Sequence, residues 1–141
     1  MKVEISIRQA QLDNLTARLN SGTAKLYSGV KPANSSTALL GTNILLGTLT
    51  FAAVAFPPSV NSANTALATA NAVTPGVAVN APAGLLCTFA RCYKSDGVTV
   101  VCDLLVGATG SGAEMVLNPP LLVTGVTVTC SSATMSLPDG S

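Results

Sequence analysis

Two runs rich in β-branched and aromatic residues, Leu85–Tyr93 and Val98–Leu105, flank Ser95-Asp96-Gly97. Asp-Gly readily supplies the positive φ angles of a tight hairpin turn, so this stretch predicts an antiparallel pair at the centre of the fold. A two-residue loop at Asp96 and Gly97 sets Tyr93 opposite Val100, Arg91 opposite Cys102 and Phe89 opposite Leu104. Phe89, Tyr93, Val100 and Leu104 then share a core face, and Thr88, Ala90, Thr99 and Asp103 the wetter one. A longer loop would shift these pairs.

Before the hairpin, residues 6–20 carry a helical pattern. Leu12, Leu15 and Leu19 recur at helical spacing, Ser6 with Gln9 fits a capping box, and Gly22 suits a left-handed stop. A helix this short is marginal in water, so its apolar stripe must dock, either on the chain's own sheet or on a partner. Thr23–Ser28 reads as a short strand, Gly29–Ser36 as a loop and Ile44–Phe51 as a strand. After the hairpin, Glu114–Leu117 is a short strand broken by Asn118-Pro119-Pro120, and Leu121–Val123 with Gly125 lead into the next. A last strand spans Val126–Leu137, with Val126, Val128, Cys130 and Ser132 on one face. Many short strands with Gly and Pro turns predict a mainly β protein, a jelly-roll-like antiparallel β-sandwich with a short N-terminal helix. The helical segment covers residues 1–22 and the sandwich 23–141, as one domain.

From Pro32 to Ala90 there is no Asp, Glu, Lys or Arg. Leu39–Phe56 is uncharged over a membrane-span length, but Gly41, Thr42, Asn43, Gly47, Thr48 and Thr50 dilute it, and Pro57-Pro58 ends it without flanking Lys or Arg. No membrane span is expected. Phe56–Pro82 reads as ordered and partly extended, because a solvated disordered segment is usually charge-rich. Its prolines prevent a long helix, although Ser62–Ala72 has room for a brief one.

Composition extends this picture. Charged residues are only 9% of the 141, and the net charge is +1. Few ionic hydration shells must be stripped from such a surface, which suits a molecule covered by neighbours. Nucleic-acid binding is not expected, for want of a basic patch and of stacking aromatics. The N-terminus lacks the apolar core of a signal peptide, which implies synthesis in a cytoplasm and reduced thiols. Cys87, Cys92, Cys102 and Cys130 lack paired metal-ligand spacing, and the chain has no histidine. No metal or cofactor is expected, and the thiols read as small buried hydrophobes. Without histidine there is no ordinary neutral-pH base and no Ser-His-Asp or Cys-His arrangement, and no Ser-x-x-Lys occurs. Asp96 is accounted for by its turn and Asp103 by an outward strand position. An enzyme is not expected.

The helix, then Lys-Leu-Tyr-Ser-Gly-Val-Lys-Pro-Ala-Asn (25–34), Ala-Leu-Leu-Gly-Thr-Asn-Ile-Leu-Leu-Gly-Thr-Leu-Thr-Phe (38–51) and Ala-Arg-Cys-Tyr-Lys-Ser-Asp-Gly-Val-Thr-Val-Val-Cys-Asp (90–103), with a Thr/Ser/Val-rich final strand, together carry a resemblance. The pattern resembles the capsid cementing (decoration) proteins of short-tailed Bordetella bacteriophages and related small tailed-phage virion proteins, over essentially the whole chain. The resemblance implies a homodimer on the outer surface of an icosahedral head, made in the bacterial cytoplasm. It would clamp capsomers of a major capsid protein with the fold named for the phage Hong Kong 97. No nucleic-acid, membrane or small-molecule partner and no catalytic motif are implied. Leu12, Leu15 and Leu19 are candidate partner contacts, as are Phe56, Pro57 and Pro58 within the uncharged tract. The alternatives are a tail or neck subunit, or a receptor- or carbohydrate-binding module on the particle. The latter is disfavoured by the scarcity of aromatic faces.

Overall fold

A computed structural model describes residues 1–139. About 39% of the chain is strand and 9% helix. Ile5–Ala17 forms α1, followed by β1 (Thr23–Ser28), β2 (Ile44–Thr50), β3 (Val60–Ser62) and β4 (Thr65–Thr69). Then come β5 (Gly76–Val77), β6 (Leu85–Leu86), β7 (Phe89–Tyr93) and β8 (Val100–Gly107). The last four are β9 (Met115–Leu117), β10 (Leu121–Leu122), β11 (Thr127–Val128) and β12 (Cys130–Leu137). Eight strands form one sheet in the order β2-β1-β7-β8-β9-β12-β4-β3, and β6–β10 and β5–β11 are two-stranded ribbons.

The sheet is mixed, not wholly antiparallel. β8 and β9 run parallel over Val106–Met115 and Gly107–Val116. The loop between them doubles back through Gly110 and Gly112, both at positive φ, so the chain enters β9 in the direction it left β8.

The central hairpin forms, with a different register. Tyr93 pairs with Val100 as expected, but a bulge follows, and Cys92 faces Cys102, Arg91 faces Asp103 and Phe89 faces Leu105. The cause lies in the loop, which is longer than Asp96-Gly97. Lys94 N–H donates to Thr99 O and Gly97 N–H to Lys94 O. The Asp96 carboxylate accepts from the Val98 and Thr99 amides and the Thr99 hydroxyl. Past the bulge the pairing is offset by one residue: Leu104 keeps the core face expected of it, while β7 turns Ala90 and Cys92 to that face in place of Phe89 and Tyr93. Ala90, Cys92 and Leu104 therefore join Ala24 and Leu26 in the core. Asp103 keeps the face opposite Leu104, but its side chain is buried there beneath loop 29–43 as the partner of Arg91.

Other boundaries shift for local reasons. The cap of α1 is Glu4, whose carboxylate accepts from the Ser6 amide and hydroxyl, in place of the Ser6–Gln9 box. Ser21, not Gly22, adopts positive φ after the helix. Gly22 is required for another reason: a side chain there would run into the Tyr93 carbonyl. Ser62–Ala72 holds no helix, because β3 and β4 form a hairpin with Ala63 (φ 48°) and Asn64 (φ 63°) at its turn. The last strand is split at Thr129, and a bulge between Cys130 and Ser132 changes its phase, so Ala133 and Met135 are buried.

Helix α1 packs on β3, β4 and β12. Leu12 and Leu19 are 1% and 0% exposed, sealing that end of the core with Ala66, Ala68 and Met135. Burying a leucine of this kind contributes about 1.5–3 kcal/mol. No helix among the described residues is long and apolar enough to cross a membrane.

Candidate interaction surface

The two edges of the large sheet, β2 and β3, both come from the uncharged tract. A free sheet edge presents unpaired N–H and C=O groups, and proteins that must not pair commonly blunt it with charge. Here no charged side chain lies on either edge strand.

The edges differ in cover. Residues 74–80 lie along β2: Thr50 and Thr74 exchange backbone hydrogen bonds, Val79 N–H donates to Leu46 O, and Asn80 Nδ2 donates to Leu45 O. On β3, Val60, Asn61 and Ser62 are all exposed, and no further strand pairs with it among the described residues. Its approach is fixed from the helix. Ser59 N–H donates to Asp13 Oδ1 at 2.8 Å, and Gln9 Nε2 donates to Ser59 O at 3.0 Å. Pro57 and Pro58 carry no N–H, so ladder pairing on this edge ends at β3.

The candidate residues from the sequence fall into two groups. Phe56, Pro57 and Pro58 border a shallow groove of about 260 Å³ against Asp13, Thr16 and Ala17 of α1. Phe56 is its buried floor, tilted against Phe51 with ring centroids 6.0 Å apart, while Pro57 and Pro58 are exposed. Leu12 and Leu19 are used up in the chain's own core, so the helix stripe docks internally. Leu15 is half-buried and lines a second groove, of about 320 Å³, with Leu12, Cys102, Leu104 and Met135. The surface therefore centres on the Pro57–Ser62 edge, with exposed Val54 and Val60 beside it. The β3 edge itself had no local signal, because three residues of Val, Asn and Ser show no period.

On the opposite edge half, loop 29–43 covers a polar cluster on the outward face of β1, β7 and β8. Arg91 Nε and Nη2 donate to the two Asp103 oxygens at 2.7 and 2.9 Å, and Nη1 donates to Thr37 O at 2.7 Å. Both side chains are 4% exposed. The Asp103 hydrogen bonds hold the guanidinium's pKa above its ordinary value. Tyr27 stacks on Phe89 at 5.4 Å, and burial pushes its phenol up to about 12. Lys25 Nζ lies 4.7 Å above the Tyr93 ring. Nη2 of Arg91 also donates to Asn34 O at 3.4 Å, so all three Arg91 nitrogens reach protein acceptors and the cluster fastens the loop to the sheet.

The thiols are similarly occupied. Burial pushes Cys87 up to about 12 and raises Cys130, which disfavours the thiolate. No group of three or more His, Cys, Asp or Glu among the described residues is arranged to hold a metal ion. The chain matches no protein-family model, and no curated protein or solved structure is significantly similar to it.

Proposed function

We propose that the protein is a structural virion protein that decorates the outer surface of an icosahedral phage head. As a homodimer it bridges neighbouring capsomers of a major capsid protein with the fold named for Hong Kong 97, and so stabilises the shell. The observation that carries this reading is the sheet's edges: both belong to a tract without charge, and one of them is uncovered. An edge strand can add to a neighbour's sheet through main-chain hydrogen bonds, and little ionic desolvation opposes close approach. Val30, Leu40, Ile44, Val54 and Val60 are exposed, supplying aliphatic contact area around both edges. Repetition over a shell turns such modest contacts into avidity. The resemblance of residues 25–51 and 90–103 to cementing proteins points the same way, and the jelly-roll-like description belongs to this reading.

Co-sedimentation of the purified chain with empty heads of the phage that encodes it tests the proposal. Saturable binding, with heads that resist osmotic rupture only when coated, is the expected result. Binding to tails alone, or to no part of the particle, would overturn it.

A further inference from the structure

The bulge in the central hairpin brings two thiols together. Cys92 of β7 and Cys102 of β8 are direct cross-strand partners, both turned to the side of the sheet that carries Ala90 and Leu104. Opposed residues in an antiparallel ladder have Cα atoms about 4.5–5.5 Å apart. That lies inside the roughly 4.4–6.8 Å range a disulfide accepts. The pair sits beside the bulge, where the ladder is already irregular.

Access is unequal. Cys92 is fully buried, whereas Cys102 is half-buried and lines the groove of about 320 Å³ between α1 and the sheet. A small oxidant can meet Cys102 first and leave Cys92 as the resolving thiol. The other two cysteines lie elsewhere: Cys87 precedes β7, with its amide bonded to Pro120 O, and Cys130 faces Leu117 across β12–β9.

We propose that Cys92 and Cys102 are an oxidative modification site, closed to a reversible cross-strand disulfide by hydrogen peroxide. Cys102 Sγ attacks one peroxide oxygen, the O–O bond breaks, and hydroxide leaves to become water with the thiol's proton. Cys92 Sγ then attacks the Cys102 sulfenic sulfur, the S–O bond breaks, and a second water leaves with the Cys92 proton. Two thiols lose two electrons, and one peroxide becomes two waters. The neighbouring Cys102 thiol and burial hold Cys92 well above its ordinary pKa, so the reduced pair is a stable resting form and resolution is slow. The bond would staple β7 to β8 at the middle of the sheet and slow its opening.

The test treats the reduced, folded full chain with hydrogen peroxide, then unfolds it in denaturant with N-ethylmaleimide to block every free thiol, and digests with trypsin without reduction. Cleavage after Arg91 and Lys94 isolates Cys92 on its own short peptide. The expected product is that peptide joined to the one beginning at Ser95, two hydrogens lighter than their sum, with Cys87 labelled. Dithiothreitol should separate them. The joined peptide should persist in Cys130→Ser and vanish in Cys102→Ser. Fragmentation of the wild-type product should place the link at Cys102, a readout independent of whether Cys102→Ser folds. Cys92 labelled after oxidation, Cys92 joined to Cys87, or a link mapped to Cys130 would each overturn the proposal.

Discussion

The β3–β4 and β7–β8 hairpins reach similar pairing by opposite means. The turn of β7–β8 is held from within: Asp96 accepts three hydrogen bonds from Val98 and Thr99, and Gly97 takes the positive φ. The turn of β3–β4 is held from outside. Ala63 and Asn64 both adopt positive φ, which costs an alanine roughly 1 kcal/mol. What offsets this is Arg8, 3% exposed in α1. Its Nη1 donates to Asn64 O at 2.6 Å and Leu137 O at 3.2 Å, and its Nη2 to Asn64 Oδ1 at 3.0 Å. Its Nε completes the set by donating to Val3 O at 2.8 Å. A local turn announces itself in a few residues; a turn imposed by another element does not.

This contrast predicts where the molecule breaks. The largest effect is expected from Arg91→Met, which strands the buried Asp103 carboxylate and releases Asn34 and Thr37 of the covering loop. A loss of about 3–5 kcal/mol in denaturant unfolding is the expected size, with much of it restored when Asp103→Leu is added. Arg8→Met should follow, at about 2–3 kcal/mol, because it leaves several carbonyls without their donor. Its loss should show first in hydrogen exchange at β3 and β4, while β7 and β8 stay protected. Uniform loss of protection across both hairpins would show that Arg8 supports the whole fold and not that turn.

Smaller effects sharpen the comparison. Ala63→Gly should stabilise by about 0.5 kcal/mol, since relief of the left-handed strain outweighs glycine's extra unfolded-state entropy. Asp96→Asn should mainly alter acid behaviour. Asp96 falls from 3.8 to about 2 in the folded chain, chiefly through the Thr99 hydroxyl. A depressed carboxylate contributes stability above its unfolded pKa and loses it as pH falls through the folded one. Wild type should therefore weaken between about pH 4 and pH 2, and the variant should show a shallower slope there.

How much of this was legible follows the same division. β1 matches its expected bounds, and β2 ends one residue short, because both carry local alternation and turn signals. The register of β8 was hidden because it depends on how Asp96 folds six residues into the loop, a fact of side-chain bonding and not of hydrophobic pattern. The burial of Asp103, the cross-strand pairing of Cys92 with Cys102 and the phase change at Cys130–Ser132 all follow from bulges, which leave no period in the sequence. At the candidate surface, the absence of charge from Pro32 to Ala90 was plain, but its delivery to both sheet edges is a property of strand order alone. Leu12 and Leu19 illustrate the converse: an apolar stripe says that a helix docks, not on what.

Electron microscopy of purified virions from the genome encoding the chain tests the central claim most directly. The account predicts density for this fold repeated over the outside of the head, with the Pro57–Ser62 edge against the shell or against a second copy. A head bare of the protein, or copies confined to the tail, would contradict it.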